Sequence, residues 1–310
     1  MRHRFLWLSL ICFVAQANTL HAQHDSSKIY QKKIFHQSIA HAGIYAGGLL
    51  ILNEAWYKGY PRTKMHSFDD HKEWLQVDKV GHGWTAYQLS RASASSWART
   101  GISDKKATIW GAGSGWMFMT IIELLDAQSS SWGWSWSDMA ANTIGSGLFA
   151  SQQVLWGEQR LQWKYSFHPI TYKDAELKQR AASLYGNSLA SQALKNYNSQ
   201  TYWLSVNLRS FQPNSSWPAW LNMAVGYGAD GLWGGFENLK RTGNGTVLFD
   251  RRDIPRVREF YLAPDIDFTR IPTRKVWVKK ILWCMNAIKC PAPTLRMNTK
   301  GKLRLYPLYF

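Results

Sequence analysis

Three stretches with helical patterning carry small residues four positions apart: Gly43 and Gly47, Gly111 and Gly115, Ala141 and Gly145. Four positions is about one helical turn, so each pair opens one helix face to the close approach of a neighbouring backbone. A chain built this way is confined to tightly packed helices in its first half. Four segments over 34–157 fit. Residues 34–57 are apolar on most sides, interrupted by His36, His41 and Glu54. Residues 78–99 follow a charged loop, SFDDHKEW. Ser103 predicts the N-cap of a helix running to about 128, and the S-x-x-D of Ser135 and Asp138 predicts one running to about 156. None is a clean run of twenty apolar residues; 107–125 comes nearest and contains Glu123. The expectation is a helical unit, 34–165, that touches or partly enters a bilayer.

The second half reads differently. Residues 172–196 are a polar helix or helix pair split near Gly186, and 201–211 alternate as a strand does. A short helix is expected from Ser216, ending in the glycines of GYGADGLWGG. Residues 256–268 read as extended, 276–288 as a basic helix, and TLRMNTKGKLRLYP as a hairpin turning at 299–301. The fold class expected is mainly α: a bundle of about four helices, then an α+β region over 172–310 with a few short strands. The chain stops on Tyr309 and Phe310, an ending like that of outer-membrane barrel proteins, although these strands are too few to close a barrel.

Residues 1–22 have the form of a secretory signal: Arg2 and Arg4, an apolar run over 5–14, then Ala15, Ala17 and Ala22. Cleavage after Ala17 or after Ala22 is open. Cys12 lacks the small residue that precedes a lipidated cysteine. Removing two arginines takes the net charge from +17 to +15, and residues 240–310 hold 16 Lys/Arg against five Asp/Glu, a difference of +11. For an exported protein, an excess of this sign fits an envelope membrane with anionic head groups and leaves nucleic acid without a role; a solvated basic face is the plain alternative. Cys284 and Cys290 are six apart, so a bridge needs a turn near Ala287.

Trp132, Trp134 and Trp136 fall in one helix connection. Tryptophan favours the membrane–water interface, so the three are expected to anchor there, with core filling as the rival. The polar residues around them are patterned too. Asp78 and His82 are i,i+4, Glu123 and Asp126 are i,i+3, Asp138 and Asn142 are i,i+4, and Lys79 follows Asp78; each pair shares a helix face near a helix end. If the bundle runs up and down, His82, Glu123, Asp126 and Asp138 meet. Such a set supports three readings: a buried network fixing helix ends, with Lys79 compensating charge; general acid/base or hard-cation chemistry; or ligand binding. No metal and no cofactor is expected on the leading one.

The stretches DKVGH, IIELLD and GWSWSDMAANTIG resemble the motif set of the YfiM-like periplasmic lipoproteins, and more distantly that of the VanZ-like membrane proteins. The likeness covers about residues 76–150. It implies an envelope location, a helical core and no reaction. The arginine that VanZ-like proteins tend to place between the Glu and the Asp is absent. Elsewhere, Gly226, Gly228 and Gly231 match G-x-G-x-x-G without a βαβ unit around them, and H-E-x-x-H, C-x-x-C and Walker A patterns are missing. The function expected is structural or maintenance work at an envelope membrane, the outer more than the inner. The alternative is a hydrolase acting on an envelope lipid or glycan through the His/Glu/Asp cluster.

Overall fold

The computed structural model describes residues 24–57 and 59–310, so the signal-like segment 1–22 lies outside the described residues. The chain divides into two compact units: up to Phe68 with Thr85–Gly157, and Asp69–Trp84 with Glu158–Phe310.

The first unit is built from α1 (His24–Leu52), most of α2 (Val77–Ala98), α3 (Asp104–Asp126) and α4 (Trp136–Trp156). A π-helical turn, Asn53–Tyr57, extends α1. Both predicted caps are present: Ser103 accepts from Lys106 N at 3.4 Å, and Ser135 from Asp138 N at 3.0 Å. The small-residue faces come out unevenly. A Cβ on Gly111 would lie 2.4 Å from Ala94 N, and one on Gly115 2.7 Å from Ser90 N, so α2 and α3 touch backbone to backbone. Gly43 and Gly47 have nothing within reach, which overturns the close approach expected there. The closeness belongs instead to the RASASS face of α2. Ser90 donates to Ser146 at 3.1 Å, Ser93 pairs with Tyr45 at 2.8 Å, and Gln37 donates to Ser96 at 2.6 Å. Hydroxyls at small-residue positions thus tie α2 to α4 and α1. His41 is buried and stacks on Trp97, whereas His36 is exposed and fills no core.

The second unit corrects the expectation of a few short strands. It holds β1 (Leu161–Phe167), β2 (Gln200–Asn207), β3 (Leu221–Asp230), β6 (Val257–Ile266), β7 (Ala292–Asn298) and β8 (Leu303–Tyr309) in one six-stranded antiparallel sheet of that order, beside the hairpin β4 (Leu239–Arg241) and β5 (Val247–Asp250). The helix pair split near Gly186 is present as α5 (Ala175–Tyr185) and α6 (Leu189–Lys195), a short α7 (Leu208–Phe211) follows β2, and α8 (Val276–Met285) is the basic helix. Where a helix was expected from Ser216, the chain becomes β3. Gly226 and Gly228 lie within that strand, and Gly226 leaves room for the Trp203 ring, which a Cβ would meet at 2.7 Å.

The buried face of this sheet is polar as well as aromatic. Lys164 Nζ lies 2.8 Å from Asp265, to which Ser205 donates at 2.6 Å; Asn222 donates to Ser205 at 2.8 Å, and Asn207 to Asn222 at 2.7 Å. Each buried group is met by the next, which is the condition for taking such groups out of water. Burial pushes the Lys289 ammonium down, and Asp265 opposes that shift. On the other face, the segment that starts α2 packs over β1 and β2. A Cβ on Gly81 would meet Tyr202 Oη at 2.7 Å, and one on Gly83 the Trp163 ring at 2.3 Å. Just before α2, Trp74, Leu75 and Gln76 take φ values of 49°, 50° and 64°. The second unit secures this left-handed turn: Trp74 N donates to Gly235 O at 2.8 Å, Tyr227 Oη to Leu75 O, and Arg258 to Gln76 at 2.5 Å.

Candidate functional site

The polar residues singled out in the sequence fall in both units, and each set has its own geometry. In the first unit, Glu123 is fully buried near the end of α3 and Asp138 is buried in the first turn of α4. Carboxylate oxygens of the two lie within 4.8 Å of each other. Asn142, one turn beyond Asp138, is fully buried, and neither of its amide atoms has a hydrogen-bond partner. Asp126 is half-buried and accepts from Tyr57 Oη at 2.7 Å. Burial, then the charges of Asp126 and Glu123, push the Tyr57 phenol far up, so it remains a donor. Tyr57 was missed in the sequence because it sits in the π-helical turn, away from any recognisable pairing.

In the second unit, Lys79 Nζ stands between Asp70 at 2.6 Å and Asp78 at 2.9 Å, and all three side chains are about nine-tenths buried. Lys79 therefore carries positive charge between two carboxylates. Asp70 lies in the SFDDHKEW loop, where a charged run reads as solvated surface. His82 is half-buried one turn after Asp78, on the same face of α2, between the two glycines that admit Tyr202 and Trp163.

The tryptophan connection divides. Trp136 is exposed, at 73 %, whereas Trp132 and Trp134 are half-buried. Trp132 packs edge-on against Tyr57 and Tyr60, with ring centroids 5.8 and 4.6 Å away. Trp136, though exposed, packs edge-on against Trp134, with ring centroids 5.5 Å apart.

The basic C-terminal region has its own concave surface. Residues 268–274 and one side of α8 enclose a cleft of about 720 Å³ lined by Phe268, Arg270, Arg274, Lys279, Leu282 and Trp283. None of the ten residues of α8 is buried, and the helix combines exposed Val276, Trp277, Ile281 and Met285 with Lys279 and Lys280. The chain turns after Met285 as a bridge would require, yet Cys284 and Cys290 are both free thiols. No helix among the described residues is long and apolar enough to cross a membrane.

The model of a family described as a predicted periplasmic lipoprotein family (DUF2279) matches residues 66–153. That stretch takes in Asp70, Asp78, Lys79, His82, Glu123, Asp126, Asp138 and Asn142, and it leaves the six-stranded sheet outside. No curated protein matches the chain, and no solved structure does.

Proposed function

We propose that this chain is an exported cell-envelope protein held at a membrane by anionic head groups, where it does structural or maintenance work without catalysis. The observation that carries the reading is α8 with its cleft: aromatic and aliphatic side chains beside Lys279, Lys280 and Arg274, on a helix without acidic residues. A helix with apolar side chains and lysines standing in water is the kind that lies in a head-group layer. The description of the matched family as periplasmic lipoproteins supports the envelope location, and the likeness of DKVGH, IIELLD and GWSWSD to YfiM-like and VanZ-like proteins belongs with it. The outer membrane is preferred over the inner on the alternating pattern of the strands. The Asp70–Lys79–Asp78 triad supports a structural role for the polar residues, since a buried ammonium already neutralises its carboxylates.

The full chain is expected to sediment with envelope membranes. It should bind phosphatidylglycerol vesicles better than phosphatidylcholine vesicles at low salt. That preference should fade as the screening length falls from about 10 Å at 0.1 M to about 3 Å at 1 M salt. Lys279→Glu with Lys280→Glu should reduce it. Equal binding to both lipids at low salt would remove the head-group reading.

A second reading is favoured by the first-unit carboxylates. Glu123 and Asp138, with the unpartnered Asn142 amide, form the acid/base or hard-cation set that a hydrolase of an envelope lipid or glycan needs. Glu123→Gln separates the two. On the structural reading it lowers the melting temperature and cellular accumulation. A variant as stable as wild type, carrying the same metal content, yet unable to replace it in cells would establish the hydrolase instead.

A further inference from the structure

The six-stranded sheet buries polar residues among its aromatics on one face and exposes apolar residues on the other. An antiparallel sheet on a soluble core alternates apolar residues inward with polar residues outward. Here the residues turned inward include Lys164, Ser205, Asn207, Asn222, Glu259, Asp265 and Thr294, all buried. Most residues alternating with them are apolar, Arg258 at the start of β6 being charged, and over β3, β6, β7 and β8 many are exposed: Val225 53 %, Phe260 43 %, Leu262 45 %, Met297 50 %, Leu303 65 % and Leu305 68 %.

Register assembles these side chains into two rows. Val225 pairs with Leu262, Leu262 with Leu295, and Leu295 with Leu305. One pleat along, Tyr227 pairs with Phe260, Phe260 with Met297, and Met297 with Leu303. With strands about 4.8 Å apart, the rows make a continuous strip roughly 15 Å wide. It contains no charged side chain. The outer face of β1 and β2 differs, because the start of α2 and its aromatic neighbours cover it, and Tyr227 and Ala229 of β3 lie under the same cover.

We propose that the uncovered outer face of β6, β7 and β8, with Val225 of β3, is seated in the hydrocarbon of a lipid bilayer. Exposed apolar residues at alternate positions on successive strands are what barrel sheets present to lipid, and this open sheet presents them on one face. Charge complementarity selects the occupant. The β7–β8 turn that borders the strip carries Lys300 and Lys302, both exposed and placed to meet anionic head groups at its rim. This rests on the membrane association proposed above and deepens it. Head-group attraction brings the protein to the surface, and the sheet face then makes contact that salt does not screen.

The test uses the full chain and vesicles of mixed phosphatidylglycerol and phosphatidylcholine. Wild type is expected to stay bound at about 1 M salt, where charge attraction is largely screened. Leu262→Arg and Leu305→Arg each place a guanidinium in the strip without touching the buried network, so the melting temperature in solution should hold. Each variant should lose about tenfold or more of the salt-resistant affinity. Head-group attraction alone predicts the opposite sign, since an added arginine strengthens binding to anionic lipid. Complete release of wild type by salt overturns the proposal and leaves the head-group reading standing. Arginine variants that bind as tightly as wild type overturn it too. Self-association in solution that either arginine abolishes, with no salt-resistant vesicle binding, assigns the strip to a second copy of the chain and likewise overturns it. The wild-type measurement decides the matter even if a variant fails to fold.

Discussion

An Asp265→Ala variant should unfold at a much lower urea concentration than wild type, the loss being about 3–5 kcal/mol. The Asp265 carboxylate is wholly buried and lies 2.8 Å from Lys164 Nζ and 3.7 Å from Lys289 Nζ, both of them equally buried. It also accepts from Ser205 Oγ at 2.6 Å and from Cys290 N at 3.0 Å. Removing it leaves two ammonium groups in the sheet interior with no counter-charge from Asp265, only carbonyls and ring faces: Ile266 O and the Phe268 ring for Lys164, Pro264 O, Cys290 O and the Trp203 ring for Lys289. Two lysines sharing one lost counter-charge is a harsher case than a single broken pair. Asp250→Ala provides the contrast, because its partner Arg252 is exposed and solvent screening leaves such pairs little to contribute. Unfolding curves with an unchanged denaturant slope report the difference directly. A loss no larger for Asp265→Ala than for Asp250→Ala would show that water reaches the sheet interior.

Lys79→Met tests the triad in the same terms. The methionine keeps most of the volume, so the effect isolates the charge. Asp70 and Asp78 would then face each other, buried, without the ammonium that lies 2.6 and 2.9 Å from them, and a loss of about 3–5 kcal/mol is expected. Adding Asp70→Asn removes one of the repelling charges. The double variant should therefore be more stable than the sum of the two single effects, by a coupling of about 1–3 kcal/mol read from the cycle of melts. Additive effects would mean that Lys79 acts elsewhere.

What the sequence disclosed followed from how local each signal is. The caps at Ser103 and Ser135 were legible because an N-cap involves residues three apart. The hairpin at 299–301 was legible for the same reason, with Gly301 at φ 74° supplying the turn. β1 was missed because its inward residues are Gln162, Lys164 and Ser166, which read as surface; they are buried only because Asp265, Asp267 and Trp203 wait for them from distant positions. β3 was missed because its glycines read as a loop, whereas Gly226 is there to accommodate a tryptophan from the neighbouring strand. The same distinction holds at the polar residues. Pairs within one helix were visible, while Asp70 joins through a loop and Tyr57 through a π-helical turn, neither of which has a periodicity to betray it.

The left-handed turn at Trp74, Leu75 and Gln76 bears on the order in which the molecule can be finished. Backbone of that hand costs roughly 1–2 kcal/mol per residue for side chains with a Cβ. The groups that hold it, Tyr227, Gly235 and Arg258, lie about 150 residues or more further along the chain. A polypeptide that crosses a membrane N-terminus first therefore delivers DKVGH long before anything exists to fix the turn that leads into it. The entry to α2 is held only once Tyr227, Gly235 and Arg258 are in place, and so the most recognisable motif of the sequence depends on residues far along the chain.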